Sequence, residues 1–195
     1  MGALGYAILG LLAREPLTGY DLAGQMRARV GSFWEARHSQ IYPALARLEQ
    51  RGLVTHQVVA QHGRPDKKVY EITGGGLDAL RAWVTEPPAP RAVRDELLLK
   101  AFSSWLAEPG GVLTLFQDER RRHEERLRDY EQTRGWMEEA WGEDVRRPES
   151  PHFASYAVLR RGILQERGYI EWCRWVTDSL GRGTDNDDAG AEVRL

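Results

Sequence analysis

The chain has 195 residues, is 42% hydrophobic and carries a formal net charge of −2, which allows one or two small cored domains but indicates neither an acidic nor a basic partner. No apolar run approaches the ~20 residues of a membrane span and no signal peptide is expected, while the lone Cys173 rules out a disulfide within the chain and fits a reducing cytoplasm. The total conceals an asymmetry, because residues 1–88 carry ten Lys and Arg against eight Asp and Glu whereas the remainder carry 17 against 21, an excess too small to signal DNA by itself.

The first helix, LGYAILGLLA, places Leu4, Ile8, Leu11 and Leu12 on one face and closes before Pro16. In PLTGYDLAGQM, Thr18 and Asp21 have the spacing of a capping box, and Leu22 and Met26 turn inward. A third helix is expected over 39–51, starting at Ser39 or Gln40, because Pro43 lacks an N–H and is tolerated only in a first turn. Ile41, Leu45 and Leu48 recur at i, i+4 and i+7 and face inward, and Gly52 stops the helix. The opposite face holds Ser39, Pro43, Ala46, Arg47 and Gln50, flanked by Gln40 and Tyr42. Short side chains followed by one Arg and one Gln suit close approach to base edges and phosphates.

LVTHQVVA and KKVYEI read as strands, joined by a turn at Gly63-Arg64-Pro65-Asp66. Arg64, Lys67 and Lys68 make this hairpin basic. Three short helices followed by a basic hairpin form a winged helix-turn-helix, which binds duplex DNA. Thr73 can cap a fourth helix, LDALRAWV, although Gly74 to Gly76 make its first turn soft.

Glu86-Pro87-Pro88-Ala89-Pro90 is a stiff connection that a helix does not cross. It divides a DNA-binding domain, 1–88, from a helical domain, 89–180, assigned to dimerisation and effector binding. A polar tail, 181–195, is expected to be disordered. In the helical domain, RDELLLKAFSSWL sets Leu97, Leu98, Ala101, Phe102 and Trp105 on one side, and Pro109-Gly110-Gly111 ends it. A long helix, 112–141, follows, with a heptad-like seam interrupted by Arg120, His123 and Arg134. A last helix is expected over 152–180.

Several features have competing readings. Arg120-Arg121-Arg122 alternates with acidic residues and reads as a solvated helix face rather than a nucleic-acid site. His123 lacks a second metal ligand at helical spacing. The three glycines lack the Lys and Ser/Thr of a phosphate loop, and Cys173 reads as a buried thiol. No Ser-His-Asp arrangement or metal-ligand spacing is present, so neither enzyme activity nor a cofactor is expected. Six of the seven tryptophans lie at or beyond the fourth helix. They are read first as core or dimer packing. The alternative is a pocket for a small apolar or aromatic effector, walled by Trp105, Trp172 and Trp175.

LGYAILGLL, PLTGYDL, SQIYPALARLEQRGLV and GRPDKKVYEIT, in this order and spacing, resemble the PadR family of bacterial transcriptional regulators over roughly residues 3–86. The later EWCRW resembles the family's longer-tailed members. The resemblance implies that residues 39–51 are the recognition helix and that 63–68 are the wing. The expected DNA contacts are Ser39, Gln40, Tyr42, Pro43, Arg47, Gln50, Arg64, Lys67 and Lys68. The expected function is a homodimeric regulator, most simply a repressor, on a palindromic operator, since one recognition helix reads only a few base pairs. Some relatives sense phenolic acids or hydrophobic drugs. A winged-helix module that binds protein instead of DNA is the competing reading; the basic wing and Arg47 argue against it. After Thr73 the chain departs from the family, where Pro and an acidic residue are more usual than Gly74-Gly75.

Overall fold

A computed structural model describes residues 1–27, 37–60, 66–88 and 94–191, with side chains described as far as Arg182. It divides into two compact units, Met1–Pro90 and Arg91–Leu195. The first contains α1 (Ala3–Leu12), β1 (Leu17–Thr18), α2 (Gly19–Gln25), α3 (His38–Gln50), β2 (Val54–Val59), β3 (Lys67–Ile72) and α4 (Gly74–Val84). The three strands form an antiparallel sheet in the order β1-β3-β2.

The core forms where the apolar periodicities converge. Ile8, Leu9, Leu11 and Leu12 of α1 meet Leu22 and Met26, Ile41, Ala44, Leu45 and Leu48 of α3, and Val54 and Tyr70 of the sheet. Each fully buried Leu or Ile contributes about 1.5–3 kcal/mol by leaving water. The box at α2 forms as its spacing predicts. The Asp21 amide donates to Thr18 Oγ1 at 3.1 Å, and the Thr18 hydroxyl donates to Asp21 Oδ2 at 2.7 Å.

The start of α3 differs from expectation. It begins at His38, so Pro43 lies beyond the first turn and offers no N–H to the carbonyl of Ser39. Pro43 is on the exposed face, where water can satisfy that carbonyl. Gly52, at φ +68°, ends the helix, with the Leu53 amide donating back to the Leu48 carbonyl at 3.0 Å.

Gly74 to Gly76 do not delay α4; they form its first turn. Thr73 Oγ1 accepts from the Gly76 amide at 3.1 Å and donates to the Gly52 carbonyl at 2.6 Å. A Cβ on Gly76 would lie 2.1 Å from the Leu53 carbonyl oxygen. Only glycine permits that approach.

The second unit contains α5 (Glu96–Phe102), α6 (Pro109–Trp141) and α7 (Pro151–Ala191), with short 3₁₀ turns at Ser104–Leu106 and Gly142–Arg146. Pro109 opens α6 instead of ending α5, because its fixed φ and missing N–H cost nothing at a helix start. The expected single face of 94–106 is split, with α5 ending at Phe102 and Ser104–Leu106 forming a separate 3₁₀ turn. Leu97 and Ala101 pack on Val112, Phe116 and Cys173, whereas Leu98, Phe102 and Trp105 are exposed. The last helix continues to Ala191, past the boundary at 180 that its polar composition suggests. Among the described residues, no helix is long and apolar enough to cross a membrane.

Candidate nucleic-acid interface

The two faces of α3 separate as their residue types dictate. Ile41, Leu45 and Leu48 are buried, and Ser39, Gln40, Tyr42, Pro43, Ala46, Arg47 and Gln50 are all exposed. The exposed residues form one strip along the helix. Ala46 beside Arg47 keeps the strip low, so a duplex could approach the backbone closely with a single guanidinium projecting toward it.

Two of these side chains also have structural roles. Gln40 Oε1 accepts the Arg37 amide at 3.1 Å and so helps close the start of the helix. The ring of Tyr42 covers Gly19 at the beginning of α2, where an added Cβ would lie 2.5 Å from it. The ring also meets His38 edge-on, with centroids 5.6 Å apart. Tyr42 thus spaces α2 from α3 while remaining half exposed. A sequence reading that treats it only as a contact residue misses this, since the signal lies in a glycine 23 positions away.

In the hairpin, Lys67 pairs with Val59 and Lys68 with Val58. Side chains alternate along a strand and cross-strand partners share a face. Lys68 therefore stands on the same face as His56, Tyr70 and the α3 side of the sheet, and Lys67 stands on the opposite face. Both are exposed. Arg64 lies outside the described residues.

At its other end α3 is tied to the hairpin. Glu49 Oε1 pairs with Nδ1 of His56 on β2, and the His56 ring rests against Tyr70 of β3 at 5.5 Å. The Tyr70 hydroxyl titrates above its ordinary range, through burial first and then the nearby Glu49 carboxylate. No helical or strand periodicity relates residues 49 and 56, because they face each other only across the Gly52 turn.

The three expected effector-wall tryptophans do not converge. Trp172 is half buried, edge-on to Phe116 at 5.3 Å, and lines an open groove of about 530 Å³ with Leu98, Arg161, Leu164 and Tyr169. Trp105 and Trp175 are exposed and do not line it. Beneath the groove lies a polar layer that the α6 seam only hinted at. His123 Nδ1 and Glu166 Oε2 are 2.5 Å apart and buried, and Arg126 reaches Glu166 Oε1 at 3.4 Å. Tyr169 stacks on His123 at 4.4 Å and donates its hydroxyl to Asp95. His123 is thus partnered from the next helix. Arg121 and Arg122 are exposed and pair with Asp118 and Glu119 on their own helix, as a solvated face does, whereas Arg120 is half-buried beside Glu124. Among the described residues, no three His, Cys, Asp or Glu side chains are placed to hold a metal ion.

Residues 8–82 match the model of the transcriptional regulator PadR-like family, and residues 93–181 match that of the virulence activator alpha C-terminal region. The chain is 34% identical to the negative transcriptional regulator PadR of Bacillus subtilis over 174 residues, 88% of this chain and 94% of that protein. The crystal structure of B. subtilis PadR with operator DNA is similar over 92% of this chain and 99% of that chain, with a TM-score of 0.80 and 32% identity. The structure of the same protein with p-coumaric acid is similar with a TM-score of 0.76 and 32% identity, over 91% and 98% of the two chains. With the winged helix and the helical region both matched in order, the chain belongs to the PadR-like family of transcriptional regulators.

Proposed function

We propose that the protein acts as a homodimer, binds a palindromic operator in the cytoplasm and represses transcription, a role of binding rather than catalysis. The observation that carries this reading is the exposed strip of α3 beside a basic ribbon, in a chain similar over nearly its whole length to a regulator solved on operator DNA. Arg47 reads a base edge, with Ser39 and Gln50 beside it. Lys68, on the α3 side of the ribbon, neutralises phosphate, and Lys67 contributes less from the far side.

The second copy covers the apolar arm of the helical domain. Leu99, Phe102, Trp105 and Leu106 are all at least 69% exposed, an unusual concentration for a surface that stays in water. The B. subtilis relative was solved with p-coumaric acid. For this chain a small aromatic effector is proposed in the helical domain, against Trp172 and Tyr169. Trp105 and Trp175 belong instead to the covered surface.

Mobility shifts at fixed salt, on a selected palindrome and on random duplex, test the reading. Arg47→Ala should cost specific binding about 1–3 kcal/mol and spare random binding. Lys68→Ala should weaken both and lower the slope of log K against log salt by about 0.9, with a smaller change for Lys67→Ala. Equal losses on both DNAs for Arg47→Ala would remove its base-reading role. Absence of any DNA binding by the full chain would favour a protein-interaction module.

A further inference from the structure

We infer that Glu49 and His56 are a positioning pair that sets the angle between the recognition helix and the wing. The inference rests on the DNA-binding reading for its purpose, but the pair itself is seen in the fold. Specific binding by a winged helix requires the helix in the groove and the ribbon on the adjacent backbone at once. The two elements are joined by a turn at Gly52, which the Leu53 amide on the Leu48 carbonyl and the Thr73 hydroxyl on the Gly52 carbonyl hold at the backbone, and Glu49 with His56 adds a side-chain tie across it. Glu49 lies in the last turn of α3, and His56 is the third residue of β2. Their side chains close a short ring across that turn. His56 in turn leans on Tyr70, which is buried on the central strand and paired directly opposite it. The helix is thereby keyed to both strands of the ribbon. The carboxylate and the imidazole engage each other and lie off the Ser39–Arg47–Gln50 strip.

The pair can be told apart from a contact and from a general stabiliser. Glu49→Ala and His56→Ala should each weaken operator binding about five- to tenfold and leave random-duplex binding and the salt slope unchanged. The double variant should lose no more than His56→Ala alone, because Glu49→Ala removes only the pair that His56→Ala already removes together with the Tyr70 contact. Glu49→Gln keeps an acceptor and His56→Gln keeps a donor, so these variants should retain most of the operator affinity at matched melting temperature. A DNA-free measurement judges the pair independently: amide hydrogen exchange across residues 49–59 should quicken in the alanine variants and return toward wild type in the glutamine ones. Alanine and glutamine variants that behave alike, in exchange or in operator affinity, would overturn the inference. A salt slope that falls with His56→Ala would also overturn it, by making the residue a phosphate contact. If the wild-type chain selects no operator, the DNA-binding reading fails while the exchange result still decides the pair.

Discussion

A methyl group at residue 76 would stand 2.1 Å from a carbonyl oxygen, whereas one at residue 75 would meet nothing closer than 3.8 Å. Three identical residues in a row therefore do different work. Gly76 is where α4 presses against the turn that ends α3, so it helps to set how the recognition helix leaves the core. Gly76→Ala should destabilise the protein by about 1–3 kcal/mol, as overpacking does. Gly75→Ala should stabilise it by roughly 0.5–1 kcal/mol through the unfolded chain. Urea unfolding of the two variants measures both. Similar losses at both positions would mean that first-turn flexibility, not close approach, explains the run.

At the scale of elements, a polar layer inserts into the seam between α6 and α7, where heptad spacing predicts apolar residues. Glu166 answers His123 and Arg126, and Tyr169 links the layer to Asp95, whose side chain accepts from the Leu97 amide at the start of α5. The Asp95 hydrogen bond is the main cause that raises the Tyr169 hydroxyl from 10.0 to about 12. The same bond is the main cause that holds the Asp95 carboxyl below its ordinary 3.8. A raised tyrosine keeps its proton longer when folded, so its contribution is complete below pH 10 and is lost as pH rises toward 12. A depressed aspartate contributes above its ordinary value and loses that contribution as pH falls through the lower, folded one. Tyr169→Phe should flatten the loss of thermal stability on the alkaline side and weaken it on the acid side. Melting curves across pH read this directly, and an unaltered alkaline limb would show that the hydroxyl is not engaged in solution.

For the whole molecule, the proposed division of labour makes assembly the test. Phe102→Asp with Trp105→Asp places two charges on the apolar arm without touching the buried Val112–Phe116–Cys173 cluster. Light scattering should find the wild type dimeric and the variant largely monomeric. Operator affinity should fall with the dimer, because two half-sites held together bind far more tightly than one. A variant that remains dimeric would place the interface elsewhere.

Much of the winged-helix unit was legible in the sequence because its determinants are local. The stripe Ile41, Leu45 and Leu48, the box of Thr18 and Asp21, the stop at Gly52 and the strand Lys67–Ile72 each depend on neighbours a few residues away. The outer strip of α3 follows from the inner one by helical geometry. The starts of α3 and α6 were less legible, since Pro43 is tolerated on an exposed face beyond the first turn and the fixed φ of Pro109 serves a helix start and a chain break equally well. Tertiary structure decided the rest. Tyr42 on Gly19, Glu49 with His56, Gly76 under Leu53 and Glu166 with His123 are contacts between residues with no common periodicity. Such pairs arise only when separately stable elements are packed, because the free energy that selects them is the burial and partnering of particular atoms and not the propensity of either segment.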